Sequence, residues 1–296
     1  MRHLLLGGGG LLGSGFREVL AAQGADVVRL RPDWRDPVAL GPALEQQLVA
    51  GLSAPGPVTV VWAAGVGHVG ASADDMLAET TAVRALRAAL QRAGSPDVTV
   101  LFASSAGALF AGHGDGLIDP GSTPTPVSPY GRAKLDQEGL LAEVADAVGC
   151  RVVLTRISNL YGLTGGRLTS RGLIATAVRA TRLRQPMTVY VRQDTRRDYV
   201  YARDAAALGL RAAAAAPPGA STALVCDGST RSVAQVLGVV RSVCGRKVPA
   251  VFAERPETRL QPYVLRFAAP APSPDDVLRT PMEAAVHRMV HAPLAR

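Results

Sequence analysis

Lysine is almost missing from this chain: of its 32 basic residues only Lys134 and Lys247 are lysines, and the others are arginines. A basic residue kept as Lys against that background points to a demand for a compact ammonium instead of a guanidinium fork. Aromatic residues make up only 4%. That is poor for stacking on bases, and the arginines are scattered, with no basic tail, so a nucleic-acid binder is excluded. Cys150, Cys226 and Cys244 are the only cysteines; they lack C-x-x-C spacing and sit in or beside apolar segments, which excludes a disulfide framework or a cysteine-built metal site. Long hydrophobic runs are absent too. Leu4-Leu5-Leu6 stops at Gly7, and nothing later approaches the roughly 18 apolar residues of a membrane span, so a cytoplasmic protein that engages no membrane is expected.

What is present suits a soluble enzyme. The 296 residues, 48% hydrophobic and 19% charged, are enough for one large domain, or one large and one small, with a real core. A net charge of +8 points to phosphorylated small molecules as partners, although codon bias alone would also enrich Arg and Ala.

The chain opens with a buried-strand pattern, His3 to Leu6, which runs into Gly7-x-x-Gly10-Leu11-Leu12-Gly13 and then a helical pattern through Phe16, Val19 and Leu20. Strand, Gly-rich turn and helix start are the parts of a dinucleotide-binding crossover, in which glycines let the backbone approach a pyrophosphate at the helix N-terminus. Ala25–Leu30 reads as the second strand. At its end, where an acid would accept from a ribose 2′-hydroxyl, stands Arg31, with Arg29 and Arg35 nearby; this favours the 2′-phosphate of NADP over NAD. Asp33 and Asp36 are near enough to take the other role. Only one helix, around 37–50, fits before the next strand, Val58–Trp62, which ends in the small residues Ala63, Ala64 and Gly65.

Residues 74–92 read as a helix with Leu77, Leu86 and Leu90 on its apolar face, and Val98–Ser105 as a strand ending in the hydroxyls of Ser104 and Ser105. Carboxyl ends of parallel strands form the ligand crevice, so both serines are placed there. A Gly-, Pro- and Ser-rich stretch from Gly107 to Pro129 suggests a loop over that crevice. Pro129 then starts a helix carrying Tyr130 and Lys134, which share one face. An ammonium beside a phenol favours the phenolate, which is what a general acid or base near neutral pH needs. A further buried strand, Val152–Ile157, is followed by Ser158-Asn159-Leu160-Tyr161-Gly162.

The order of these pieces, continued by Arg197-Asp198-Tyr199-Val200-Tyr201-Ala202-Arg203-Asp204, resembles the extended short-chain dehydrogenase/reductase family, the NAD-dependent epimerase/dehydratases that modify nucleotide sugars. The likeness runs from about Leu4 to Ala207. It implies an α/β fold: a Rossmann-type doubly wound parallel sheet in residues 1–161, joined by about 198–224, and a smaller C-terminal α/β substrate-binding domain over 162–296. It also implies a triad. Tyr130 exchanges the proton, Lys134 holds the nicotinamide ribose, and Ser105 hydrogen-bonds the reacting oxygen. Cofactor contacts implied by the likeness are Gly7, Gly10, Leu11, Leu12, Gly13, Arg31, Asp36, Ala63, Ala64, Gly65, Ser104, Tyr130, Lys134 and Ile157. Substrate contacts are Ser105, Ala106, Asn159 and Arg197, the last suited to a diphosphate. A homodimer is usual for the family.

Departures from the pattern are as informative. Family dehydratases carry Asp-Glu after the strand-end hydroxyl, where this chain has Ala106-Gly107, so a 4,6-dehydratase is not expected. The Asn usual in the helix before it is replaced around Glu79, Thr80 and Thr81, and the tyrosine usual beyond the serines is represented by Phe110.

Residues 211–220 read as a helix end and linker; Ser232 caps a helix stopped by Gly245; and the Pro-rich tail offers Arg255, Arg259 and Arg266 as phosphate contacts. His287 and His291, with no acidic partner motif, read as surface residues and not zinc ligands. The expected function is an NAD(P)-dependent ketoreductase or epimerase on a nucleotide-linked sugar, with the ketoreductase ahead because Arg31 favours NADP. The rivals are a tailoring ketoreductase with a non-sugar substrate and a non-catalytic dinucleotide-binding protein.

Overall fold

The computed structural model describes residues 1–65, 67, 71–95, 97–114, 116–253, 262, 264–268 and 279–295. Its first half alternates strand and helix: β1 (Arg2–Leu6), α1 (Leu11–Ala22), β2 (Asp26–Leu30), α2 (Pro37–Leu52), β3 (Val58–Trp62), α3 (Ala73–Ala93), β4 (Val98–Ser105), α4 (Ala106–Leu109), β5 (Leu117–Ile118), α5 (Pro129–Val148) and β6 (Arg151–Ile157). After these come β7 (Asn159–Tyr161), α6 (Leu173–Leu183), β8 (Met187–Val189), β9 (Arg196–Tyr201), α7 (Ala202–Ala214), β10 (Gly219–Val225), β11 (Thr230–Ser232), α8 (Val233–Cys244), β12 (Ala250–Phe252), β13 (Arg266–Phe267) and α9 (Met282–His291).

Six parallel strands form the main sheet in the order β10-β6-β4-β3-β1-β2. Alternation along the strands divides the side chains between two cores. Leu4, Leu6, Val60, Trp62, Val100, Phe102 and Val152 pack with α2, α3 and α5. Leu5, Val61, Leu101 and Val153 pack with α1 and α7. Helices therefore cover both faces, which gives the doubly wound Rossmann-type architecture. Strand order reverses direction at β1, whose neighbours are β2 and β3, so the crevice lies beyond the carboxyl ends of β1 and β3.

Three local expectations change. Leu77 is 60% exposed. The buried seam of α3 runs instead through Met76, Glu79, Val83, Leu86 and Leu90, because Leu77 is one residue round the helix from Met76. That seam contains an acid. Residues 211–220 are more than a helix end and linker: α7 continues to Ala214, and Gly219 already opens β10, an edge strand of the main sheet whose Gly-Ala-Ser-Thr start has little strand character. The 107–129 stretch is clamped, not free, since β5 pairs with β13 and Phe110 and Ile118 pack on Phe267.

A separate core joins β7, β8 and β9 to α6, α8 and α9 through Tyr161, Ile174, Val178, Met187, Tyr201, Val236, Val240 and Met289. Within it, α8 begins at a reciprocal Ser232–Gln235 cap and stops at Gly245. Among the described residues no helix is long and apolar enough to cross a membrane.

Candidate active site

The site is built around the reversal point of the sheet. Gly7 closes β1 with φ +79°, and a β-carbon there would lie 2.2 Å from the Ala63 carbonyl oxygen. At Gly13 a β-carbon would lie 2.1 Å from the Gly7 oxygen, so both positions exclude any side chain. Gly9, by contrast, has nothing within 4 Å. The N-terminus of α1 starts at Gly10 with no side-chain cap, leaving the amides of Leu11, Leu12 and Gly13 for an incoming acceptor. An open, uncapped helix start beside Ala63 and Ala64 fits the pyrophosphate of a dinucleotide.

Tyr130 and Lys134 stand on the first turns of α5, whose start is fixed by Pro129 and by the Ser128 hydroxyl accepting from the Gly131 amide at 3.1 Å. Gly131 is required there for a different reason, since a β-carbon would meet the Ala108 oxygen at 2.5 Å. Lys134 is buried, with its Nζ 5.9 Å from the centre of the Tyr130 ring and 5.0 Å from that of Phe102. It donates to Glu79 Oε1 at 2.5 Å and to the Ala103 carbonyl at 3.4 Å. The second Glu79 oxygen accepts from the Gly67 amide at 3.0 Å. Gly67 itself lies against Tyr130, because a β-carbon on it would be 2.9 Å from Cδ2 of that ring.

The strand-end hydroxyls differ. Ser104 is buried and its Oγ has no hydrogen-bond partner among the described residues. Ser105 is only half-buried and caps α4, with a long 3.4 Å contact to the Ala108 amide. Ile157 lies beside Ser105 in the sheet, and buried Ala106 follows it. Asn159 reaches the same end, its Oδ1 3.6 Å from where a Gly107 β-carbon would be. Phe110 is turned away into the core, against Phe267 and the Arg156 guanidinium, which Glu138 holds in a buried ion pair.

The remaining expected contacts lie further from this centre. Asp36 caps α2, accepting from the Val38 and Ala39 amides. Arg31 is exposed beyond β2, and Arg29 and Arg17 flank Gly8, whose β-carbon would be 3.4 Å from Arg29 Nε and 3.5 Å from Arg17 Cδ. Arg197 is half-buried and donates to the Arg196 carbonyl at 2.8 Å; burial lowers its pKa, opposed by Tyr199. Its neighbour Asp198 is engaged by other groups. That carboxylate is buried and accepts from Ser158 and from the Asp227 and Gly228 amides, while desolvation pushes its pKa up. Arg266 is exposed on β13. Arg255 and Arg259 lie outside the described residues. His287 and His291 are exposed, with ring centres 4.5 Å apart. A cleft lined by Met1, Thr59, Asp97, Thr99, Arg151 and Ala213 lies at the amino ends of the strands, on the far side from these groups.

Glu79 is the site residue that sequence reasoning passed over as a mere replacement. Its signal was an acid in the apolar seam of α3.

Residues 3–223 match the model of the family described as "NAD dependent epimerase/dehydratase family". A UDP-glucose 4-epimerase of Azospirillum brasilense is 30% identical over 171 residues, 53% of this chain and 49% of that protein, so the chain spans about half the length of this relative. The solved UDP-glucose 4-epimerase of Thermus thermophilus in complex with NAD superposes with a TM-score of 0.78 at 22% identity, covering 97% of this chain and 99% of that one. A UDP-glucose 4-epimerase of Thermotoga maritima with UDP-glucose gives 0.78 at 19% identity, covering 98% and 97%. At those identities the structural likeness carries the fold.

Proposed function

This chain belongs to the NAD dependent epimerase/dehydratase family, and from that premise we propose that it is an oxidoreductase acting at a secondary alcohol or ketone of a nucleotide-linked sugar. The observation that carries the reading is Tyr130 and Lys134 on one face of α5, with the Lys134 Nζ 5.9 Å from the phenol ring, at the carboxyl end of the sheet. A nicotinamide dinucleotide supplies hydride transfer when bound. Gly7, Gly13 and the open start of α1 hold its pyrophosphate, Ala63, Ala64 and Gly65 let it lie close to the backbone, and Lys134 holds its ribose. Tyr130 moves the proton at the substrate oxygen. Ser105, the more accessible of the two serines, donates to that oxygen as its charge develops, and Asn159 orients the sugar from the start of β7. The second core, around α6, α8 and α9, supplies the substrate side.

Two features support net reduction with NADPH: Arg31 is exposed past β2, and Arg17 and Arg29 flank Gly8 at the cofactor end. Guanidinium groups suit a 2′-phosphate. The test is Tyr130→Phe. Turnover of a 4-keto nucleotide sugar with reduced cofactor falls by orders of magnitude while cofactor affinity is retained; near-normal turnover removes Tyr130 from the mechanism.

A further inference from the structure

Past the carboxyl ends of β6 and β10 the chain leaves the main sheet twice. These strands are neighbours there, with Ile157 beside Val225, and the Ser158 amide donates to the Val225 carbonyl at 2.9 Å. One crossing is Ser158 alone, after which β7 begins at Asn159; the other runs from Cys226 to Ser229, after which β11 begins at Thr230. Both strands then flank β9 in the small sheet, in the order β11-β9-β7. Asp198 lies on β9 between the two crossings. It stands opposite Thr230 on one side and one residue before Tyr199, the partner of Asn159, on the other.

The Asp198 carboxylate holds both crossings. Its Oδ1 accepts from the Ser158 hydroxyl at 2.5 Å and from the Asp227 amide at 2.9 Å, and its Oδ2 accepts from the Gly228 amide at 2.7 Å. Asp198 is 1% exposed, so water does not compete for these bonds. A hydroxyl given to a buried carboxylate is also a stronger tie than one given to a neutral acceptor. The turn after β10 has a second anchor, since Arg279 donates to the Asp227 carbonyl. Strand β7 has less to hold it. Three residues long and at the sheet edge, it has β9 as its only strand neighbour among the described residues. Its first residue is the one next to Ser158. Asn159 is half-buried, and its Oδ1 lies 3.6 Å from where a Gly107 β-carbon would be, which sets the carboxamide beside the start of α4, where Ser105 stands.

We propose that Asp198 is a positioning residue for the sugar: through Ser158 it holds the Asn159 carboxamide at the end of β4, while its bonds to Asp227 and Gly228 fix the same carboxylate against the end of β10. The inference rests on Asn159 being the sugar contact of the proposed function, and adds what keeps that contact in place.

The test is binding calorimetry on NADP-loaded protein. UDP-, dTDP- and GDP-glucose are compared, and the one bound best is carried forward with its nucleoside diphosphate. Ser158→Ala removes the tie to β7 and leaves Asp198 its two amides. The sugar nucleotide then binds about five- to tenfold more weakly, as for one lost hydrogen bond, while the nucleoside diphosphate binds as to wild type. Asn159→Ala shows the same sugar-specific loss, and Ser158→Ala/Asn159→Ala loses no more than Asn159→Ala alone, because the two act through one contact. Asp198→Asn turns an NH2 toward an amide donor; where it folds it shows that loss too, and where it does not, Ser158→Ala carries the test. A purely structural role for Asp198 and Ser158 would weaken sugar nucleotide and nucleoside diphosphate together, or add its loss to that of Asn159→Ala. Either result overturns the inference, as does unchanged binding in Ser158→Ala. If none of the three sugar nucleotides binds, or Asn159→Ala binds them like wild type, the proposed sugar contact fails and takes the inference with it.

Discussion

The Lys134 ammonium lies 2.5 Å from Glu79 Oε1, with the two side chains 5% and 1% exposed. A pair this deep contributes little net stability over apolar neighbours, yet breaking it strands a charge. Glu79→Gln and Lys134→Met are each expected to destabilise the fold by about 3–5 kcal/mol. The double variant should cost clearly less than their sum, read from denaturant unfolding of the four proteins. Additive losses would mean that the two groups do not share their energy.

The glycines after β1 separate fold from binding. Gly13→Ala must push a β-carbon into the Gly7 carbonyl, so it should lower Tm sharply or prevent folding. Gly9→Ala meets no protein atom and needs no unusual φ, so Tm should hold. If a dinucleotide lies over that turn, its affinity for Gly9→Ala drops by about tenfold or more, a loss of at least about 1.4 kcal/mol. Calorimetric titration with NAD and NADP checks this, and unchanged affinity would move the pyrophosphate elsewhere.

Much of this was legible in the residues, because periodicity and end signals are local. The apolar runs Leu4–Leu6 in β1 and Val58–Trp62 in β3, the latter broken only by Thr59, marked buried strands, Ser232 and Gly245 bracketed α8, and Pro129 fixed where α5 begins. Residues brought together only by the fold were less legible. Leu77 looked apolar by spacing, but the contacts of α3 with α2 and α5 chose the adjacent seam through Met76 and Glu79. Spacing alone put Ser104 and Ser105 together at the strand end and only the family likeness told them apart; the fold buries the first and leaves the second half-buried. Asp36 was read only for a ribose contact, yet an Asp just before Pro37 is also an N-cap, and its Oδ1 takes that second role here.

Alkaline stability follows from three buried phenols. Burial raises the pKa of Tyr161, Tyr199 and Tyr201; for Tyr199 it reaches about 12, opposed by the Arg197 charge. A folded pKa above the unfolded value of about 10 means the folded state binds more protons over that interval. The resulting stability is fully present below about pH 10 and is lost as pH rises toward about 12. For Tyr199 the loss is on the order of 3 kcal/mol. Tyr199→Phe should leave the slope of Tm against pH unchanged near neutrality and flatten it above about pH 10. An unaltered alkaline slope would mean that Tyr199 is more solvated than its 8% exposure indicates.

Cofactor choice turns on β2. An acid at the end of that strand accepts from a 2′-hydroxyl, and a guanidinium there attracts a 2′-phosphate. This chain places Arg31 at that end, and the nearest carboxylate of the following turn, Asp33, accepts from the Arg35 amide at 3.1 Å, while Asp36 is committed to α2. Both carboxylates spend Oδ1 on these amides, which fixes their orientation while Arg31 carries the charge at the strand end. Arg31→Asp should therefore weaken NADP binding by about ten- to a hundredfold, as expected for losing one charge-assisted contact of about 1.5–3 kcal/mol, and should leave NAD affinity equal or improved. Arg29→Ala should act in the same direction if the group beside Gly8 shares the phosphate. Cofactor fluorescence titrations of wild type and both variants measure the ratio. An unchanged ratio in Arg31→Asp together with a collapsed one in Arg29→Ala would move phosphate recognition from the strand end to the pair of arginines around Gly8.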